Sequence, residues 1–405
     1  MERLRFKDHN SNYEEPDSLI IADLFDKIKD INKNKLNKNV ITNSAEFGLI
    51  SQKLFFDKDI AIEENTAKYT IIKKGDFVYN PRKSSTAPYG PFNCYRLEEP
   101  GIVSPLYSCL RPKNPEYTDY LLYYFESPAW HSYIYHNGNQ GGARHDRVGM
   151  TEDLLMGIPV SLPIKEERDK IVSFLKLLDD YLKNQEEIVK CLVNRKEGIL
   201  TKLFNGELCF KNVNYHAWEE IELSEILKER KEKSNGTEDI YSVSVSKGLV
   251  NQVEHLGRSF AAEDTSKYKV AHYGDVIYTK SPTGSFKWGI VKQSRIEKNV
   301  IISPLYGVFS PLNANLGYII DAYFSSSIRA HNYLITQIRK GAKNTINISN
   351  DEFLAKSIYL PIDEEEQRVI ANFISIMNEE IDVARKKLES IRNVKKGILQ
   401  KLFIY

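Results

Sequence analysis

The sequence predicts an α+β protein with a pseudo-twofold internal repeat, each copy a mixed α/β globular part followed by a long helix. Three observations lead there: a length of 405 residues, a self-match at a constant offset of 199 residues, and two heptad stretches that close the two copies.

Length and composition bound the rest. At roughly 100–200 residues per domain, the chain is long enough for two domains. Hydrophobic residues make up 41% and charged residues 27%, which supplies packed interiors and excludes wholesale disorder. Cys94, Cys109, Cys191 and Cys209 fall at no CxxC spacing and follow no basic-then-apolar leader, so neither a secreted disulfide framework nor a zinc ribbon is indicated. No run of about 18 apolar residues is long enough to span a membrane. The expectation is a soluble, cytoplasmic protein with no membrane partner and with its cysteines buried as small hydrophobes. A formal net charge of +1 argues against binding nucleic acid through bulk charge alone. The charge is unevenly placed, however: Ser266 to Asn344 holds 11 Lys or Arg against 3 Asp or Glu, whereas Asn65 to Arg147 holds 10 against 7.

The repeat is the strongest signal. Glu197 to Phe204 reads EGILTKLF and Lys396 to Phe403 reads KGILQKLF. The same offset carries Gly75-Asp76 onto Gly274-Asp275, Ser104-Pro105-Leu106-Tyr107 onto Ser303-Pro304-Leu305-Tyr306, Tyr124-Phe125 onto Tyr323-Phe324, and Gly142-Ala143-Arg144 onto Gly341-Ala342-Lys343. Leu162-Pro163-Ile164 pairs with Leu360-Pro361-Ile362 after a slip of one residue. A period this long is a duplicated domain and not a solenoid. Two similar domains in one chain suit a ligand that itself has two parts.

The last fifth of each copy becomes poor in Gly and Pro and gains a heptad. Ile171, Leu175, Leu178, Leu182, Gln185, Val189, Leu192, Lys196, Ile199 and Leu203 alternate at steps of four and three. Ile370, Ile374, Met377, Ile381, Ala384, Leu388, Ile391, Lys395, Ile398 and Leu402 repeat those steps. Lys196 and Lys395 take the same seam position, a polar register device when helices pair. Each stretch follows a Leu-Pro-Ile turn and opens on glutamates that suit the positive end of a helix dipole. About 40 residues give a helix of roughly 60 Å.

In the globular parts, Ile71 to Tyr79 and Tyr268 to Tyr278 read as strand, Gly-Asp turn, strand. Tyr117 to Tyr135 and Leu316 to Ile338 read as helices from apolar spacing at three and four residues. The expected divisions are 1–163, 164–205, 206–361 and 362–405, alternately globular and helical.

This doubled arrangement of a Gly-Asp strand, a Gly-Ala loop, a Leu-Pro-Ile step into a Glu-rich helix, and a terminal Gly-Ile-Leu-x-Lys-Leu-Phe resembles the specificity subunits of type I restriction-modification systems. Glu166-Glu167-Arg168 departs from the pattern that Glu365-Glu366-Gln367 keeps. The resemblance implies two target recognition domains, each reading half of a bipartite site in double-stranded DNA, separated by two long antiparallel coiled-coil helices. It further implies two modification (methyltransferase) subunits and two restriction (endonuclease and translocase) subunits as partners. S-adenosylmethionine, ATP and Mg are then expected on those subunits and no cofactor on this chain. A rigid helical spacer would make the distance between half-sites a geometric constant.

Catalytic motifs are absent. Asn80-Pro81-Arg82-Lys83 approaches an adenine methyltransferase loop, but Arg82 stands where a second proline is required. No phosphate-binding glycine loop and no His-Glu-x-x-His metal motif occurs. The expected role is therefore non-catalytic. Two other readings remain beside it, a self-sufficient DNA-modifying enzyme and a coiled-coil scaffold that binds only protein.

Candidate DNA-contacting residues follow from donor chemistry. Asn80, Arg82, Lys83, Ser84 and Ser85 lie after the Tyr79 strand, and Thr279, Lys280, Ser281, Thr283, Lys287 and Trp288 hold the matching stretch. Arginine suits guanine, asparagine suits adenine, and hydroxyls and lysines suit base edges or phosphates. Arg144, His145 and Arg147 in one copy and Lys340, Lys343 and Asn344 in the other flank the Gly-Ala turn, where glycine lets backbone approach a phosphate. Tyr89, Tyr107 and Tyr306 fit a core role better than a stacking one.

Overall fold

The computed structural model describes residues 16–52, 63–138, 146–210, 218–252, 265–336, 339–340 and 346–403. The chain divides into two compact units, Met1–Glu186 with Lys387–Tyr405, and Glu187–Lys386. The divisions between these units fall inside the two long helices, Lys165–Phe204 and Glu364–Leu402.

The first unit is organised around a four-stranded antiparallel sheet in the order Phe25–Lys27, Ser108–Pro112, Phe77–Tyr79, Phe92–Cys94. Smaller antiparallel pairs join Thr70–Ile72 to Gly101–Val103, Ile41–Ser44 to Gly48–Ser51, and Asp17–Ile20 to Pro159–Leu162. The strands on either side of Gly75-Asp76 thus do not form the hairpin that the turn suggested, because each finds its partners in a different sheet. Asp76 explains the turn in another way. Its buried carboxylate accepts the Lys73 N–H at 2.7 Å and a two-pronged bond from Arg111 at 2.7 and 2.8 Å. The helical stretch breaks at Ser127-Pro128 into Thr118–Glu126 and His131–Asn137, since proline lacks the N–H a continuing helix needs.

The second unit has the same architecture. Its four-stranded sheet runs Leu227–Glu229, Gly307–Pro311, Val276–Tyr278, Val291–Gln293. Pairs join Lys269–Ala271 to Val300–Ile302, Tyr241–Ser244 to Gly248–Asn251, and Glu219–Glu222 to Ser357–Leu360. Asp275 matches Asp76, but its arginine, Arg230, comes from a different strand end, at 2.6 and 3.0 Å. The predicted helix again divides, into Ala314–Phe324 and Ser327–Leu334, with Ser326 capping the second by accepting the Arg329 N–H.

The long helices complete both cores. In the first unit, Ile171 and Leu175 from the start of one helix and Leu399, Leu402 and Phe403 from the end of the other join the cluster around Phe77, Tyr124 and Trp130. In the second, Leu200, Leu203 and Phe204 join Ile370, Ile374 and Met377 around Tyr278, Phe309 and Phe353. The terminal Gly-Ile-Leu-x-Lys-Leu-Phe motif is thereby explained. Phe403 packs edge-on against Tyr120 and Tyr124 at 5.4 and 5.9 Å, and Phe204 packs edge-on against Tyr323 at 5.3 Å.

Within each unit the two helical stretches run antiparallel. Glu186 pairs with Arg392 and Asp179 with Lys395 in the first, and Arg195 pairs with Glu380 and Lys196 bonds Asn378 in the second. All twenty seam positions are buried or half-buried. The two seam lysines differ in setting. Burial alone would lower Lys395, but Glu126 and Asp179, both at 2.6 Å, outweigh it and hold the ammonium above the ordinary lysine range. Lys196 is lowered by burial, with Lys292, Arg295 and Arg385 adding to the effect and Asp321 opposing it.

Both helix entries use one device. Gln367 donates to the Pro361 carbonyl at 2.9 Å, and Arg168 donates to the Pro163 carbonyl at 2.6 Å, so the arginine departs from the motif in identity but not in role. Cys94 and Cys109 are buried, whereas Cys191 and Cys209 are exposed, on the outer side of the first long helix and just beyond its end. The expectation of four buried cysteines is corrected to that extent. Among the described residues no helix is long and apolar enough to cross a membrane, and no cluster of His, Cys, Asp or Glu is arranged to hold a metal ion.

Candidate nucleic-acid interface

In the first unit the loop after Tyr79 is braced from both sides. Asn80 donates from Nδ2 to the Asn43 carbonyl at 3.1 Å and accepts the Arg82 N–H at 3.0 Å, so its side chain is spent on shaping the loop. Gly90, at φ +84°, closes the loop where a Cβ would lie 2.1 Å from the Asn80 carbonyl oxygen, which excludes any side chain. Ser84 accepts the Ala87 N–H at 3.0 Å, and Ser85 is exposed beside it.

A second strand of chain then meets this loop. Lys83 N–H donates to the Asp146 carbonyl and Val148 N–H to the Pro81 carbonyl, both at 2.8 Å, and Arg82 bridges Arg147 backbone to backbone. Two stretches singled out for separate reasons, 80–85 and 144–147, are thus brought together as Arg82, Lys83 and Arg147. Arg82 is held only loosely, its Nε 3.8 Å from Asp146, with 71% of the side chain exposed. An exposed pair of this kind contributes little to stability and leaves the guanidinium available to a ligand.

The second unit places its matching loop at the equivalent end of its own four-stranded sheet. Tyr79 lies opposite Ser108 and Tyr278 opposite Gly307 in the two registers, so both loops leave the sheet at equivalent points. Thr279 is a correction. It is buried at 2% exposure, and its hydroxyl accepts the Ile290 N–H at 3.0 Å. Lys280 adopts φ +55°, and its ammonium is lowered by burial and by Lys269, with Glu229 and Glu352 opposing. Ser281, Thr283 and Lys287 are exposed. Trp288 is half-buried, and its Nε1 donates to His331 Nδ1 at 3.0 Å while the rings stack.

His331 was not visible to sequence reasoning. The one available signal was positional, since Trp288 matches Tyr89, which also lies against a histidine, His131, at 4.9 Å. Tyr107 and Tyr306 pack on the smaller cores around Val78 and Ile277, in line with the core role expected of them. The backbone of Lys340 lies in a short strand paired with Ile346–Asn347. Arg144, His145, Lys343 and Asn344 lie outside the described residues.

Residues 216–393 match the model of the type I restriction modification DNA specificity domain. No curated protein matches in sequence. A solved chain from work on complex assembly and conformational transition of the type I R-M system superposes with a TM-score of 0.56 at 13% identity, covering 97% of this chain and 99% of the other. The type I restriction-modification S subunit from M. genitalium superposes with a TM-score of 0.50 at 14% identity, each chain covered over 100%. At these identities the likeness is one of fold. By sequence, residues 216–393 are similar to the type I restriction modification DNA specificity domain, and the fold of the two solved chains extends along the length of this one.

Proposed function

We propose that this chain is the DNA sequence-recognition subunit of a type I restriction-modification complex, non-catalytic in itself, with each unit reading one half of a bipartite target. One observation carries the reading. Two units of the same topology each present a basic, hydroxyl-bearing loop at the equivalent end of their own four-stranded sheet. On this reading the helices act as a coiled-coil spacer and seat two modification and two restriction subunits, on which S-adenosylmethionine, ATP and Mg belong. The exposed apolar residues Leu177, Tyr181 and Ile188 on one helix and Ile376, Val383 and Val394 on the other support a protein-binding role for their outer faces.

The test is exchange of Met1 to Ser161 for the equivalent domain of a relative, keeping Tyr120 and Tyr124 so that Phe403 retains its seat. Methylome sequencing of cells carrying the complex should then show one half-site changed and the other kept. A change in both halves would overturn independent reading.

Loop chemistry gives a finer expectation. Arg82→Ala should cost about 1–3 kcal/mol of specific binding and relax preference at one position of one half-site. Lys83→Ala should weaken all sequences alike and lower the salt slope by about one unit. Binding titrations across salt concentrations, on the complex with modification subunits, separate the two.

A further inference from the structure

The Ser-Pro-Leu-Tyr segment occurs identically in both copies, and its fold explains three of its four residues. Ser104 accepts the Leu106 N–H at 3.3 Å, and Ser303 accepts the Leu305 N–H at 3.3 Å. The turns close through Tyr107 N–H to the Ser104 carbonyl at 3.0 Å and Tyr306 N–H to the Ser303 carbonyl at 3.1 Å. Proline presets the backbone of such a turn. The tyrosines pack inward on the cores formed with Val103 and Cys109, and with Ile302 and Val308. The leucines have no such duty. Leu106 is 58% exposed and Leu305 is 74% exposed. A large apolar side chain at a rigid turn tip, present at the equivalent point of two units, stabilises neither core.

The sheet register shows what surrounds these tips. Each turn runs directly into the strand paired with the one that ends at Tyr79 or Tyr278, so the turn and the basic loop emerge side by side. In the second unit Lys269 anchors the turn through the Tyr306 carbonyl at 2.7 Å and is one of the cations that act on Lys280. An apolar tip beside cationic loops fits a polyanion whose interior is apolar. Basic groups hold the phosphates while an apolar side chain presses between or against bases.

We propose that Leu106 and Leu305 are apolar base-contacting tips, one for each half of the DNA target, held rigid by the Ser-Pro-Leu-Tyr turn. The proposal rests on the DNA-recognition reading above and adds to it the element that touches bases without hydrogen bonds. It makes these residues contributors to specificity and not to general affinity.

The test uses the full chain assembled with its modification subunits. Two labelled duplexes serve as probes, one carrying the target found by methylome sequencing and one of unrelated sequence. Leu106→Ala and Leu305→Ala should each weaken the target duplex roughly ten- to a hundredfold, the loss expected when a buried leucine contact is removed. Binding to the unrelated duplex and the salt slope should stay at the wild-type values, and Leu106→Met should retain most of the target affinity. Unchanged target affinity, or equal loss on both duplexes, would overturn the proposal. So would loss of modification subunits from the complex with DNA preference intact in whatever complex remains, since the tips would then be protein contacts. If the wild-type complex itself does not prefer the target duplex, the recognition reading fails first.

Discussion

Replacing Phe403 by Ala is expected to destabilise the first unit by about 3–5 kcal/mol, the usual cost of emptying a phenylalanine site in a packed core. The position is near the end of the sequence, where truncation is commonly harmless. Here it is fully buried, at 0% exposure, edge-on to Tyr120 and Tyr124 and continuous with Leu399 and Leu402. Those contacts belong to residues about 280 positions earlier, so the loss should appear in the N-terminal globular part. Hydrogen exchange followed by mass spectrometry would locate it. Protection should fall in Thr118–Glu126 and Phe77–Tyr79 and remain in Val276–Tyr278. Phe204→Ala should reverse the pattern, because Phe204 sits against Tyr323 in the second unit. A uniform loss across both, or none, would show that the helix ends do not complete separate cores.

These contacts also mark what the sequence made legible. The repeat and the heptads were readable because covalent spacing and seam periodicity are linear properties, and the two heptad stretches lie on the helices Lys165–Phe204 and Glu364–Leu402. The terminal motif was readable as a repeat but not as a clamp, since nothing in a linear pattern says that Phe403 seats against Tyr124 and Phe204 against Tyr323 and not the reverse. The Gly-Asp turn was legible as a turn, yet its strands join different sheets, because long-range pairing overrode the local hairpin signal. At the candidate site, Arg82 and Lys83 were found by donor type. Thr279 was placed outward by the same logic and lies inward, because its hydroxyl is used within the fold to accept the Ile290 N–H. Leu106 and Leu305 escaped notice because an exposed leucine has meaning only when its neighbours in space are known.

The second large effect concerns a place where the two copies have diverged. Asp321 is buried at 4% exposure and accepts from Lys292 at 3.0 Å, Arg295 at 3.1 Å and the Gln293 N–H at 3.2 Å. Burial alone would raise its carboxyl, but Lys292 and Arg295 outweigh it and hold the group below the ordinary carboxylate range. At the matching positions of the first unit, Asn93 stands for Lys292, Leu122 for Asp321 and Arg96 for Arg295, so only the second unit buries this cluster. Asp321→Ala should cost about 3–5 kcal/mol, because it strands Lys292 beside Lys196 without a counter-charge. Copying the first unit by Lys292→Asn with Asp321→Leu should recover most of that loss, since Arg295 keeps its stacking on Tyr318 at 4.0 Å and the ammonium that bonded Asp321 is removed together with it. The pH dependence follows from the sign of the shift. A carboxyl lower in the folded state than in the unfolded one contributes stability that is present above the unfolded value, about 3.9. That contribution is lost as pH falls through the lower folded value. The gap between wild type and Asp321→Ala should therefore be widest near neutrality and shrink on acidification below about pH 4. Denaturant unfolding at a series of pH values measures both effects, and a gap that stays constant down to strongly acidic pH, or a double variant no more stable than Asp321→Ala, would remove the ion cluster as the cause.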